Sequence, residues 1–218
     1  MIFGPGSVLE ADFDEMMWQI VDAAGADPYF TTGPSTLNVI DDTPSGWLAW
    51  EGWLTDPWTA NLFYFGHGDP NGVGPTASLG LSEKDIGDAL GNGYPWGLPF
   101  YFRAAHPYRF VFLDGCNTAR AGLCLAFGIV MKRTDESYYT ASGIQPQAFM
   151  GWNNTIQYSV AHTQFDSHLY TFDVDFFYYW SNQGKSLKDA VNLSRTIEST
   201  NFVPMPGIWG YDQLKWNP

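Results

Sequence analysis

The chain is short of positive charge. Ten Lys and Arg stand against 23 Asp and Glu in 218 residues, a formal net charge of −13 and a pI near 4.4. A phosphate backbone or an anionic membrane surface would be repelled more than attracted, which argues against nucleic-acid and membrane partners. Cysteine is scarce as well. Cys116 and Cys124 are too few for a disulfide framework, and their spacing on one loop-helix unit suits a mutual bond poorly. No run approaches the roughly 18 apolar residues of a membrane span, and Met1 to Ile20 carries acids where a signal peptide has a basic end and then an apolar stretch. These absences lead us to expect a soluble, unanchored protein. Richness in Trp, Tyr, Gly and Asn beside few Lys leans toward an extracytoplasmic bacterial setting.

What is present can build a core: 45% of residues are hydrophobic and 17% aromatic, far from a disordered composition. No repeat, low-complexity tract or linker divides the chain, so the expectation is a single domain over 1–218, with a helical lead-in over 1–34 and a core over 35–215. Phe13, Met16, Met17, Ile20 and Val21 form a helical stripe ending at Gly25. Leu37 to Ile40 reads as a short strand, and Trp47, Trp50 and Trp53 as an aromatic helix packed on a sheet. Leu62 to Phe65 and Phe110 to Leu113 are unbroken apolar runs, the mark of strands covered on both faces. Between them Ser82-Glu83-Lys84-Asp85 resembles a capping box opening a helix through Leu90. Gly122 to Phe127 reads as a helix, Ala148 to Met150 as a strand, Phe172 to Trp180 and Ser186 to about Glu198 as helices, and Ile208 to Leu214 as a last short strand. This alternation predicts a three-layer α/β/α sandwich with a mostly parallel central sheet and a site at the carboxyl ends of its strands.

The two central runs stop at Gly66-His67-Gly68 and Asp114-Gly115-Cys116-Asn117-Thr118. Neighbouring strands would bring His67 and Cys116 to one rim. A cysteine attacks as thiolate, and a histidine beside it takes the thiol proton and later delivers a proton to a leaving amine. The adjoining glycines permit sharp turns and leave the amides of Gly68 and Cys116 open to an oxyanion. Each residue also has a plainer reading: a lone strand-end histidine is commonly a hydrogen-bonded structural group, and a lone cysteine commonly an inert buried thiol. The pair outweighs either member. Cys124, on the apolar side of its helix, reads as core. His162, Asp166 and His168 match no metal-ligand spacing, Asp69-Pro70-Asn71-Gly72 reads as a turn rather than a calcium loop, and His106 has no assigned role.

These strand ends, with the helix Leu123 to Phe127, resemble the caspase-like cysteine peptidases of clan CD, in particular the gingipain-like and CHAT-type branches. Ala148 to Trp152, Gly184 to Val191 and Gly210 to Leu214 resemble later segments of gingipain-like domains, so the likeness covers roughly residues 35 to 215. The resemblance implies a caspase-like fold with Cys116 as nucleophile, His67 as general base and acid, and the Gly68 amide at the oxyanion. It implies a peptide or protein substrate, no cofactor and no metal. It also implies a pocket for the residue before the cut made by Asp41 or Asp42, Asp114 and Trp152, where carboxylates and an aromatic wall suit Arg or Lys. Asp114 departs from the pattern, since many relatives have a small or apolar residue there. The expected activity is therefore a cysteine endopeptidase cutting after Arg or Lys. Its rivals are a catalytically inactive caspase-like binding or scaffold domain of a larger assembly, and an enzyme acting on another acyl group such as a small amide.

Overall fold

A computed structural model describes residues 37–41, 54, 60–74, 80–91, 108–129, 135–142, 145–156, 164–197 and 203–216. The helix expected over Leu9 to Ala24, the Trp47, Trp50 and Trp53 stripe, Asp42, His106 and His162 lie outside them. The chain divides into two compact units, one of Pro34–Thr155 with Pro206–Asp212 and the other of Met1–Gly33, Ile156–Met205 and Gln213–Pro218.

The described residues of the first unit form eight strands: β1 (Leu37–Asp41), β2 (Asn61–Phe65), β3 (Gly68–Asp69), β4 (Gly72–Val73), β5 (Leu81–Ser82), β6 (Phe110–Asp114), β7 (Ala148–Gly151) and β8 (Gly207–Gly210). Its helices are α1 (Glu83–Ala89), α2 (Ala121–Ala126) and α3 (Glu136–Ser142). The main sheet has the order β1-β2-β6-β7-β8; the first four strands are parallel and β8 is antiparallel to β7. The protein is thus mixed α/β with a mostly parallel central sheet. The two unbroken apolar runs became β2 and β6 at its centre, with Leu62, Phe63, Tyr64 and all of Phe110 to Leu113 buried. Covering both faces is what removed their alternation.

Among the described strands the spatial order follows the chain without reversal. Parallel connections that advance in one direction with one hand fall on one face of a sheet. Accordingly, Ile86 and Leu90 at α1 and Leu123, Cys124, Ala126 and Phe127 at α2 form one apolar cluster with Leu62, Tyr64, Val111, Leu113 and Phe149. The opposite face is aromatic: Phe63 meets Phe112 at 5.2 Å between ring centroids, and Phe112 meets Trp152 at 6.2 Å.

A second, three-stranded antiparallel sheet, β3-β4-β5, leaves the end of β2 and leads into α1. Its hairpin turn is the Asp69-Pro70-Asn71-Gly72 segment read from the sequence as a turn, closed by the Asn71 N–H donating to Asp69 Oδ1 at 2.6 Å. The capping box at Ser82 and Asp85 forms in both directions and starts α1. The polar helix α3 carries no apolar stripe; its one sequence signal is Asp135 before it, whose carboxylate accepts from the Tyr138 N–H at 3.0 Å.

In the other unit α4 (Gln164–Phe177) begins earlier than the apolar pattern indicates and passes into a π-helical turn, Tyr178–Asn182. Phe176 packs on Phe172, Phe177 and Trp180, and Trp180 meets Trp216 edge-on at 4.8 Å while its indole donates to the Leu214 carbonyl at 3.1 Å. The helix α5 (Leu187–Ile197) opens on Ser186, whose hydroxyl accepts from the Asp189 N–H, and buries Leu187, Ala190, Val191 and Ser194. No helix of the described residues is long and apolar enough to cross a membrane.

Candidate functional site

The carboxyl ends of three strands lie in one row, with Asp41 of β1 paired to Phe65 of β2 and Phe65 paired to Asp114 of β6. His67 and Cys116 each stand two residues beyond the Phe65 and Asp114 pair. The ladder runs one step past it, because the Gly66 N–H donates to the Asp114 carbonyl at 3.1 Å. Gly66 then turns at φ 155°, a backbone that side chains rarely adopt, and releases His67 from the strand. The His67 carbonyl accepts from the Tyr64 hydroxyl at 2.8 Å and from the Gly74 N–H at 3.1 Å, which holds the turn to the buried face of β2 and to β4.

The two strand ends touch through glycine. A methyl group built on Gly115 would stand 2.9 Å from the Gly66 carbonyl oxygen and 3.1 Å from both Cα and N of Gly68. A methyl on Gly68 would stand 3.0 Å from the Cys116 carbonyl oxygen and 2.5 Å from Cγ2 of Thr118. The residues either side of His67 are therefore in van der Waals contact with the backbone that carries Cys116. Because Gly74 bonds to His67, the next pair along that hairpin, Gly68 with Val73, is of the non-bonded kind, so the Gly68 N–H faces away from β4.

Beyond Cys116 the chain turns through Asn117, whose φ of 56° makes it the one described non-glycine residue in the left-handed region. Asn tolerates that conformation better than most residues. Its N–H donates to the Asn154 carbonyl at 3.0 Å and its side-chain amide to Thr155 Oγ1 at 3.3 Å, tying the cysteine turn to the segment after β7. Thr118 is fully buried, with its hydroxyl 2.6 Å from the Leu113 carbonyl oxygen, 2.9 Å from that of Gly115, and accepting from the Trp152 N–H at 3.3 Å. In the sequence Asn117 and Thr118 stand out only as part of a pattern; the αL-tolerant residue directly after the cysteine is the available signal for the first.

The two cysteines differ as their sequence settings suggest. Neither forms a disulfide; Cys116 is half-buried at the rim. Cys124 is fully buried in α2, its Sγ lies 3.3 Å from the Ile129 carbonyl, and burial pushes its thiol well above the ordinary range. A thiolate is disfavoured there.

Two of the residues assigned to the specificity pocket, Asp114 and Trp152, do not line one. Asp114 and Trp152 are both fully buried and bonded to each other, the indole Nε1–H donating to Asp114 Oδ1. Neither presents a surface to an incoming side chain, so their place in this structure is internal. Asp41 closes β1 at the same rim, and Asp42 falls outside the described residues. Asp166 and His168 lie on α4, and among the described residues no three His, Cys, Asp or Glu side chains cluster as metal ligands do.

No family model matches the sequence, and no curated protein matches it.

Proposed function

We propose that this chain is a caspase-like cysteine endopeptidase, a three-layer α/β/α sandwich in which Cys116 and His67 form the catalytic dyad. The reading rests above all on the packing of Gly66 and Gly68 against Gly115 and Cys116, which sets the histidine turn beside the cysteine turn at the carboxyl edge of the sheet. In the proposed reaction His67 takes the Cys116 thiol proton, and the sulfur forms a bond to the scissile carbonyl carbon. The carbonyl electrons move to oxygen, where the Gly68 N–H, which faces away from β4, receives the charge. The C–N bond breaks as His67 returns the proton to the amine. Water, deprotonated by the same imidazole, then cleaves the thioester and regenerates the thiol.

Cleavage after Arg or Lys is part of the proposal, with the carboxylate of Asp41 or Asp42 as the group that would pair with the basic side chain. The acidic chain as a whole, at −13, favours a cationic peptide in the same sense. The test is a thiol-directed electrophile applied to the full chain. Cys116 should label and Cys124 should not, and labelling should vanish in His67→Ala. Equal labelling of both, or labelling indifferent to His67, would leave the inactive binding or scaffold domain as the better account. A fluorogenic peptide panel with basic, acidic or Asn residues before the cut then decides specificity, and absence of turnover on basic substrates would reject the pocket.

A further inference from the structure

Thr118 lies between the two turns, and each branch of its side chain meets a different one. On one side its Cγ2 methyl presses on Gly68, where a Cβ atom would come within 2.5 Å of it. On the other its hydroxyl sits where a Cβ atom on Gly151 would come within 2.8 Å. The start of β3 at Gly68 and the end of β7 at Gly151 thus leave no room for a Cβ atom on either glycine where each meets Thr118. The hydroxyl spans the Leu113 and Gly115 carbonyls of the cysteine strand at 2.6 and 2.9 Å and takes the Trp152 N–H at 3.3 Å. Only a branched side chain with one polar and one apolar arm does both; serine lacks the methyl and valine lacks the hydroxyl.

We infer that Thr118 is the positioning residue of this site, its methyl setting where the Gly68 amide points and its hydroxyl setting the turn that carries Cys116. The catalytic half of the inference rests on the endopeptidase reading above; the geometric half does not. The two arms separate experimentally because alkylation of a thiolate by iodoacetamide builds no oxyanion, whereas peptide hydrolysis does. In Thr118→Ser, alkylation of Cys116 should stay within about twofold of wild type while kcat on a peptide falls roughly tenfold at nearly constant KM. In Thr118→Val, alkylation and turnover should fall together, since the cysteine turn loses its anchor.

A readout independent of activity accompanies these. His67-Gly68 is the only His-Gly step in the chain, so labelling histidine carbonyls with 13C and glycine amides with 15N isolates the Gly68 amide in a carbonyl-correlated spectrum. Thr118→Ser should move that resonance and leave the other glycine amides in place; Thr118→Val should hold it. An unmoved Gly68 signal in Thr118→Ser, or equal loss of alkylation and turnover in that variant, overturns the assignment. If wild type neither alkylates selectively at Cys116 nor cuts peptides, the endopeptidase reading fails, and the Gly68 resonance still decides the geometry. Should Thr118→Val not fold, Thr118→Ser carries the test alone.

Discussion

Replacing Gly115 by alanine asks how tightly the two strand ends are joined. The new methyl would meet the Gly66 carbonyl oxygen at 2.9 Å and the Gly68 backbone at 3.1 Å, where carbon and oxygen ordinarily approach no closer than about 3.3 Å. Neither neighbour is a side-chain tip that can swing aside. Gly66 is tied to Asp114 at 3.1 Å, and Gly68 is backed by Thr118. The strands must part by several tenths of an ångström, an overpacking that costs about 1–3 kcal/mol. For a chain of this length that lowers the melting temperature by roughly 2–4 °C per kcal/mol, so about 4–8 °C for a mid-range cost. Because a misplacement of about 1 Å can cost a hundredfold in rate, a shift of a few tenths should slow Cys116 alkylation roughly tenfold. Gly184→Ala is the control: its φ of +59° carries strain of roughly 1–2 kcal/mol, nothing lies within 4 Å of the new methyl, and alkylation should not change. Differential scanning calorimetry with timed alkylation and peptide mapping reads both quantities. A Gly115→Ala protein that melts and alkylates like wild type would refute the contact between the strand ends and, with it, the placement of the dyad.

Trp152→Phe removes the donor to the buried Asp114 carboxylate and part of a packed ring, and should cost roughly 2–4 kcal/mol in urea denaturation. Asp114→Asn should recover part of that loss in the double variant, and strict additivity would argue against the bond. Burial raises the Cys124 thiol, so the folded chain holds a proton that the unfolded chain releases above its ordinary value of 9.0. Stability from this group is complete below that value and declines as pH rises beyond it, by at most about 1.4 kcal/mol per pH unit. Melting curves from pH 8 to 10 should therefore fall more steeply for wild type than for Cys124→Ala. Ser82→Ala should cost about 1 kcal/mol through loss of the α1 cap. Hydrogen bonds from Ser82 hold the Asp85 carboxyl below its ordinary 3.8, so its contribution, present above that value, is lost on acidification; the variant should lose less stability between pH 5 and 3 than wild type.

Much of the sheet was legible in residue order because its signals are local. Unbroken runs such as Phe110 to Leu113 betray a strand buried on both faces, and Ser82 with Asp85 betrays a helix start, without reference to anything distant. The short helix α3 and the early start of α4 carried no such periodicity. The π-helical turn carries Trp180, which meets a residue as distant as Trp216 edge-on. Likewise, the family resemblance implied a pocket at Asp114 and Trp152, yet their 38-residue separation hid the direct bond between them and their burial.

His67 and Cys116 could be named from sequence as the ends of two adjoining strands, since a run of apolar residues closing on glycine tells where each strand stops. How near those ends come is another matter. It follows from the register of β2 on β6, from the absence of a Cβ atom at Gly68 and Gly115 together, and from one threonine seated against both Gly68 and Gly151. Contacts of that kind depend on the simultaneous placement of segments far apart in the chain, where packing excludes all but one arrangement. The amino-acid order determined which groups are available for chemistry; the tertiary packing decided which of them meet.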